Sequence, residues 1–483
     1  MTGDLSTQNV RDPGKLSDEG VRTIHEKSLE ILSDIGISVE SDEARDVLAE
    51  GGARIVDDEL VELPPSLVEE CVERAPSSFT VHARNPENDV TIGEGGSVAA
   101  PAFGPPNVAT FEDGRRNSTL ADYEDLIKLT QLQDQLQVAS YTTCEPHDVD
   151  QAVKHLEMIS RSLTLTDKPV MSSNYGADRA KASLEMAGIV HDDPDLSEPY
   201  VIGLANSVPP RRWDARMAEG LMVHARHGQP IVVSPTVMSS ASGPAPLAGT
   251  FALENANILF GITLAQLTNP GTPVVYGPQA SNIDVRYGSF ATAGPERALS
   301  ISFTGQMGEF YDVPTRAGGG LTDSKTVDDQ AGAESMWHLD VTTRSGVDFV
   351  IHAAGVLDSY STVSPEKLVL DCERLRYLER YREGYDLSED AFALDLIRET
   401  DPDDHFLNER HTLTHSKSEY LFPELYTRKS YDDWTDAGSK DGFEAAHERV
   451  VELLAEYERP ELDPDVRQDL DAFVEEAKAD IQS

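Results

Sequence analysis

Apolar and polar positions along this chain follow two periods, and the clearest example runs from Pro244 to Gly277, PAPLAGTFALENANILFGITLAQLTNPGTPVVYG. The first part is apolar nearly all round, which predicts a long buried helix. Asn269-Pro270-Gly271 stops it. Pro273 to Tyr276 is then a short apolar run of the kind that forms a strand covered on both faces. Helix, tight turn and buried strand make one beat of a parallel α/β architecture.

The rest of the chain can be placed around that beat. Residues 1–16 read as a flexible leader. Ser17 is placed to cap a helix with an apolar face of Val21, Ile24, Ile31, Leu32 and Ile35, ended by Gly36. Short elements follow, and residues 78–116 carry hairpin patterns, one of them around an Asp113-Gly114 turn. From residue 97 the pattern becomes regular. Strands are expected over 97–103, 138–143, 169–174, 200–206, 230–236, 273–277, 312–317 and 347–354, with helical segments between them. Thr119 and Asp122 supply a capping box for one of those helices. Eight strands alternating with helices over about 260 residues is the count and size of a (β/α)8 TIM barrel. An open doubly wound sheet is the runner-up, disfavoured because no Gly-rich phosphate loop follows the first strand. The expected organisation is α/β: an N-terminal α+β elaboration over 1–96, the barrel over 97–354, and a C-terminal helical extension over 355–483 packed on the barrel or forming a subunit interface.

Charge narrows the partners. The chain has 86 acidic and 40 basic residues, a net charge of -46, so it repels nucleic acid and anionic membrane surfaces. The acids are spread along the whole chain, which fits solubility at very high salt better than one acidic recognition surface. Cys71, Cys144 and Cys372 are far apart and form neither a metal spacing nor a disulfide framework, as expected of a cytoplasmic protein. No N-terminal signal pattern is visible, and no run reads as long and apolar enough to span a membrane.

In a barrel, function sits at the C-terminal ends of the strands. Those positions offer Phe103, Tyr141 with Glu145, Asn174 with Tyr175, Asn206, Thr236, Tyr276 with Gln279, Arg316 and His352. A single tyrosine there is more often a packed side chain, but several aromatic faces turned into one cavity are how proteins hold a quaternary ammonium. An arginine ending a buried strand needs an anionic partner. For Arg316 that partner is either an internal acid such as Glu334 or Asp323, or a substrate carboxylate. His352 lies among apolar residues, where a structural hydrogen-bonder is the commoner reading. His411 to His415, HTLTH, has the spacing of a zinc-binding helix but Thr412 where a general-base glutamate must stand. No spacing supplies three good ligands around an open position, so no metal is expected. The glycine-rich stretches 93–97 and 317–321 lack the residues of a phosphate loop.

Several segments resemble the trimethylamine methyltransferase family of corrinoid-dependent enzymes: IHEKSLEILSDIGISVES, GRRNSTLADYEDLIKLTQLQD, PLAGTFALENANILFGITLAQLTNPGTPVVYG, RAGGGLTDSKTVDDQAGAES and HFLNERHTLTHSKSEYLFPELYTRKSYDDW. The resemblance spans residues 17 to 480. It implies a (β/α)8 barrel that passes a methyl group from a methylamine to the cobalt of a separate corrinoid protein. Founding members carry a pyrrolysine in the region matched by Arg316 to Gln330, whereas only standard residues stand here. The chain thus resembles the branch that demethylates glycine betaine. A quaternary nitrogen already carries its charge, so it needs no activation, and its leaving group is neutral. The resemblance places Arg316 and His352 on the betaine carboxylate. The resulting substrate-binding set is Arg316, His352, Tyr276, Phe103, Tyr141, Tyr175, Gln330 and Glu334, with no residue acting as acid or base. No cofactor is expected to be tightly bound: the corrinoid (cobalamin) arrives with its protein partner. A homo-oligomer is expected. The competing readings are a barrel lyase or aldolase using Lys325 or His352 as base, and a betaine-binding protein without turnover.

Overall fold

The computed structural model describes residues 14–482, so positions 1–13 of the expected leader lie outside the described residues. Its centre is parallel sheet. Strands β1 (Val98–Ala100), β2 (Val170–Met171), β3 (Val201–Ala205), β4 (Ile231–Val233), β5 (Val274–Tyr276), β6 (Arg316–Ala317) and β7 (Phe349–Ile351) form two sheets, in the orders β5-β4-β3-β2 and β6-β7-β1. Every pairing within them is parallel. Two links join the sheets. Tyr276 makes a parallel bridge to Thr315, just ahead of β6. On the other side Ala139 bridges Val170, while the Gln137 and Val138 N–H groups donate to the Ala99 carbonyl at 2.9 and 3.1 Å. The strand expected over 138–143 is reduced to that bridge, and the one expected over 312–317 to its last two residues.

Alternation along the strands decides which side chains meet. Val98, Ala100, Val138, Met171, Ile202, Leu204, Val232, Val275, Phe349 and Ile351 form one buried cluster. Their strand neighbours face the helices instead: Ala99, Val170 and Val350 in one cluster, Ala205, Val233, Val274 and Tyr276 in another. A hairpin pairing Phe79–Val81 with Val90–Ile92 adds its apolar residues to the first cluster. The segment leaving it is tied by His82 N–H to the Pro199 carbonyl and Asn85 N–H to the Asp167 carbonyl, both just ahead of a strand. The hairpin therefore closes the N-terminal ends of the strands and leaves the C-terminal ends for function.

Helices cover the outside. α1 (Asp18–Glu30) is capped by Ser17, whose hydroxyl accepts the Gly20 N–H, and it widens into a π turn over Ile31–Ile35 that leaves Ile35 exposed. α2 (Leu247–Thr268) is the helix read from the apolar run. By length and composition it could cross a membrane, which corrects the expectation that no run could. It is nonetheless 83% buried within the protein over its most apolar window, as a core helix is. Buried Gln266 sets its end, accepting the Gly271 N–H at 2.8 Å and donating to the Thr272 carbonyl at 2.7 Å. Gly271 takes φ +87°, which the turn requires of a glycine. α3 (Pro295–Tyr311), α4 (Asp329–Arg344) and α5 (Pro365–Glu383) follow in turn. Helices Gly442–Glu456 and Pro464–Gln482 return to pack on the main body, burying Ala446, Val450, Leu453, Leu470 and Val474.

Candidate active site

Arg316 opens β6 and is fully buried. Its Nη1–H donates to Ser234 Oγ at 3.3 Å, and its Nη2–H donates to His352 Nδ1 at 2.8 Å. Nε has no partner. Burial drives the guanidinium pKa down to about 9, with Tyr360 and Glu254 opposing and Arg297 adding to the fall. Among the described residues no carboxylate pairs with it. The two acids offered by the sequence are engaged elsewhere. Glu334 Oε2 accepts from Thr322 Oγ1 at 2.6 Å and from the Asp323 N–H at 2.9 Å. Asp323 accepts from the Thr292 N–H and hydroxyl and from Ser359 Oγ.

His352 stands beside Arg316 as expected, but with both ring nitrogens used. Nδ1 accepts from Arg316, and Nε2–H donates to the Phe103 carbonyl at 3.0 Å. Burial, then the neighbouring guanidinium, holds its pKa well below the usual imidazole value, so the ring is neutral. This network assigns the proton to Nε2. With Nδ1 accepting and Nε2–H donating, both ring nitrogens of His352 are engaged within the protein. Its backbone sits at φ +66°, a conformation costly for a non-glycine residue and one that recurs at functional sites.

Two residues that the sequence reading missed complete the electrostatics. Arg297, in the first turn of α3, is buried with Nη1–H reaching the Ala280 carbonyl at 3.3 Å and Ser300 Oγ at 3.4 Å. Among the described residues its Nε and Nη2 have no hydrogen-bond partner. It lies close enough to lower the pKa of both Arg316 and His352. Glu254 of α2 is fully buried, and Oε1 accepts the Gln279 N–H at 2.9 Å and the Val237 N–H at 3.4 Å. Gln279 in turn donates Nε2–H to Ser234 Oγ at 3.0 Å, the same oxygen that Arg316 contacts. Burial pushes the Glu254 carboxyl up to about 7, against the pull of those donors and of Arg297. The only sequence signals were a charge in an apolar helix and an arginine two residues after a helix-opening proline.

The aromatic positions divide. Phe103 and Tyr141 pack on the inner cluster at its C-terminal end. Tyr360, also missed, places its ring centroid 4.6 Å from that of His352 and 6.2 Å from Phe290. It ends a run of three left-handed residues, Asp358, Ser359 and Tyr360, which the Ser359–Asp323 hydrogen bond helps to hold. Tyr276 is not at this mouth. Val275 takes the inward position of β5, so Tyr276 points outward to α2, where its hydroxyl donates to Asn255 Oδ1 at 2.9 Å. Tyr175 is exposed, with the Arg216 guanidinium 4.4 Å above its ring, and lines a separate cavity of about 840 Å³. A cation already covers that face. Gln330 donates Nε2–H to Glu334 Oε1 on the surface of α4, away from Arg316.

The fold and site define a parallel α/β protein with a buried guanidinium that pairs with no carboxylate among the described residues, and with a second buried arginine and the Tyr360 ring near the Arg316–His352 pair. The chain belongs to the trimethylamine methyltransferase family, whose model matches residues 5–482. It is 41% identical over 464 residues to a glycine betaine methyltransferase of Desulfitobacterium hafniense, covering 95% of this chain and 96% of that one. It is 28% identical over 480 residues to a trimethylamine methyltransferase of Methanosarcina mazei, covering 95% and 94%. Among solved structures it is similar to the monomethylamine methyltransferase of Methanosarcina barkeri, with TM-score 0.48, 11% identity, and coverage of 92% of this chain and 95% of that one.

Proposed function

We propose that this chain moves a methyl group from a carboxylated quaternary amine of the glycine betaine kind to cobalt(I) of a separate corrinoid protein. Arg316 carries the reading: it is a fully buried cation whose Nε–H has no hydrogen-bond partner and which forms no ion pair with a carboxylate among the described residues. Such a group costs several kcal/mol unless an anion joins it. A substrate carboxylate would do so, and Arg297 strengthens the preference. The betaine-named relative also shares more identity than the trimethylamine ones.

We read the two parallel sheets as one closed (β/α)8 barrel over 97–354, with an elaboration over 1–96 and a helical extension over 355–483. The edge links at Tyr276–Thr315 and Ala139–Val170 support closure, as does the inner cluster drawn from alternate positions of both sheets. We also read the acidic excess as adaptation to high salt, and the chain as cytoplasmic and homo-oligomeric.

Cobalt(I), brought by the partner, supplies the electron pair for the new bond to the methyl carbon. The carbon–nitrogen bond breaks with its pair going to nitrogen, and a neutral tertiary amine leaves. No proton moves, so no residue here acts as acid or base. Arg316 binds the carboxylate, His352 and Ser234 fix the plane of the guanidinium, and Gln279 fixes Ser234. Phe103, Tyr141 and Tyr360 face the ammonium. Aromatic faces hold it less tightly than a carboxylate would, so they oppose less the loss of charge at nitrogen in the transition state. Burial and orientation supply the rest.

The lyase reading is weakened by Lys325, which is largely exposed and paired with Asp358 at 3.4 Å. The test is a substrate panel with free cob(I)alamin. Loss of the cobalt(I) absorbance with glycine betaine is expected. Betaine binding without that loss would make this a binding protein, and cleavage of a carboxylated substrate without it would favour a lyase.

A further inference from the structure

The HTLTH segment lacks the general-base glutamate of a catalytic zinc helix, but the fold brings a carboxylate beside its two histidines. His411 and His415 lie one turn apart on the helix Arg410–Glu419, with ring centroids 4.1 Å apart and planes 27° from parallel. Asp390, from the short helix Glu389–Phe392, reaches the same place. One ligand atom from each of the three residues lies within 4.8 Å of the other two. His415 Nε2 stands 3.1 Å from Asp390 Oδ2. That matches the edge of a tetrahedron with ~2.0–2.1 Å bonds, which is roughly 3.3 Å.

We propose that Asp390, His411 and His415 form a structural site for a divalent transition metal of the zinc class, with water as fourth ligand. The donor set fits: two imidazoles at i, i+4 on one helical face and one carboxylate suit Zn²⁺ and not the all-oxygen shells of Mg²⁺ or Ca²⁺. The surroundings give the metal a task. No described residue between Leu378 and Ala446 is buried, so this segment has no apolar core of its own. A metal joining two of its helices would order it much as a core would, since metal binding free energy becomes folding free energy. The site takes no part in methyl transfer, so its test is independent of the function proposed above.

Full-length protein is stripped with chelator and titrated with Co²⁺, following the visible absorption of tetrahedral cobalt, with Zn²⁺ as competitor. One equivalent is expected to bind, with the band abolished by Zn²⁺. His411→Gln, His415→Gln and Asp390→Asn should each weaken affinity at least about tenfold, as loss of a metal-site contact does. Zn²⁺ should also slow proteolysis between residues 384 and 441 in the parent protein but not in the variants. Absence of the cobalt band, or a band unchanged in both histidine variants, overturns the proposal.

Discussion

Arg316 of β6 and His352, one residue past the end of the neighbouring parallel strand β7, are joined by a hydrogen bond, the guanidinium Nη2–H donating to the imidazole Nδ1 at 2.8 Å. The histidine is anchored behind by the Phe103 carbonyl, so the pair acts as one rigid fork, and among the described residues three of the five guanidinium N–H groups, the Nε–H among them, stay unused. Loss of either member should therefore appear first in substrate binding.

Arg316→Ala should raise KM for glycine betaine far more than it lowers kcat. The substrate carboxylate keeps its charge throughout the reaction, so its contact is nearly uniform between ground and transition states. A buried charge-assisted contact is worth roughly 2–4 kcal/mol, or about 30- to 900-fold in KM. Choline, which has no carboxylate, should respond little. Equal losses for the two substrates would make Arg316 structural.

His352→Asn tests orientation apart from contact. Asparagine tolerates the left-handed backbone at this position and can still accept from Arg316. It should raise KM less than His352→Ala does. Combined with Arg316→Ala, neither histidine change should add a further loss, because a positioning residue has nothing left to position. Additive losses in the double variants would show that His352 meets the substrate itself.

Much of this was legible from periodicity alone. The helix at Leu247–Thr268, its Gly271 stop and the parallel strands after it follow from unbroken apolar runs and turn chemistry. Arg316 was legible because a charge ending a buried strand demands an explanation. The error at Tyr276 has one cause: a strand end was taken as facing the mouth without counting its phase. Val275 is inward, so Tyr276 one residue later cannot be. Arg297 and Tyr360 were not legible because they reach the site from a helix and a left-handed loop. Asp390 was hidden for the same reason, being 21 residues from His411 in sequence.

Tyr276→Phe separates the outward reading from the inward one. Its hydroxyl is the donor to buried Asn255 Oδ1, and the Asn255 amide in turn serves Ser28 and Tyr311. Removing it strands a buried acceptor and should cost about 1–3 kcal/mol of stability in denaturant melts. KM for betaine should stay within twofold of the parent value, about the size of ordinary surface effects. A large rise in KM with unchanged stability would return Tyr276 to the substrate.

Glu254 ties the stability of the site to pH. Burial raises its folded pKa from the ordinary glutamate 4.5 to about 7, so between those values the folded state holds a proton that the unfolded state has released. The stabilising contribution is then fully present below pH 4.5 and is lost as pH rises through about 7. The loss is on the order of 3 kcal/mol for a shift of this size. Glu254→Gln keeps an acceptor for the Gln279 and Val237 N–H groups and removes the titration. Relative to the parent, the variant should gain stability as pH rises from 5 to 8, and its own stability profile should be flatter across that window. The loop bearing Gln279 should stay in place, so KM for betaine at pH 8 should not rise. A pH profile that the substitution leaves unchanged would mean that Glu254 is ionised throughout, held as the counter-ion of Arg297. The buried positive charge at the mouth would then be smaller than the free guanidinium atoms suggest.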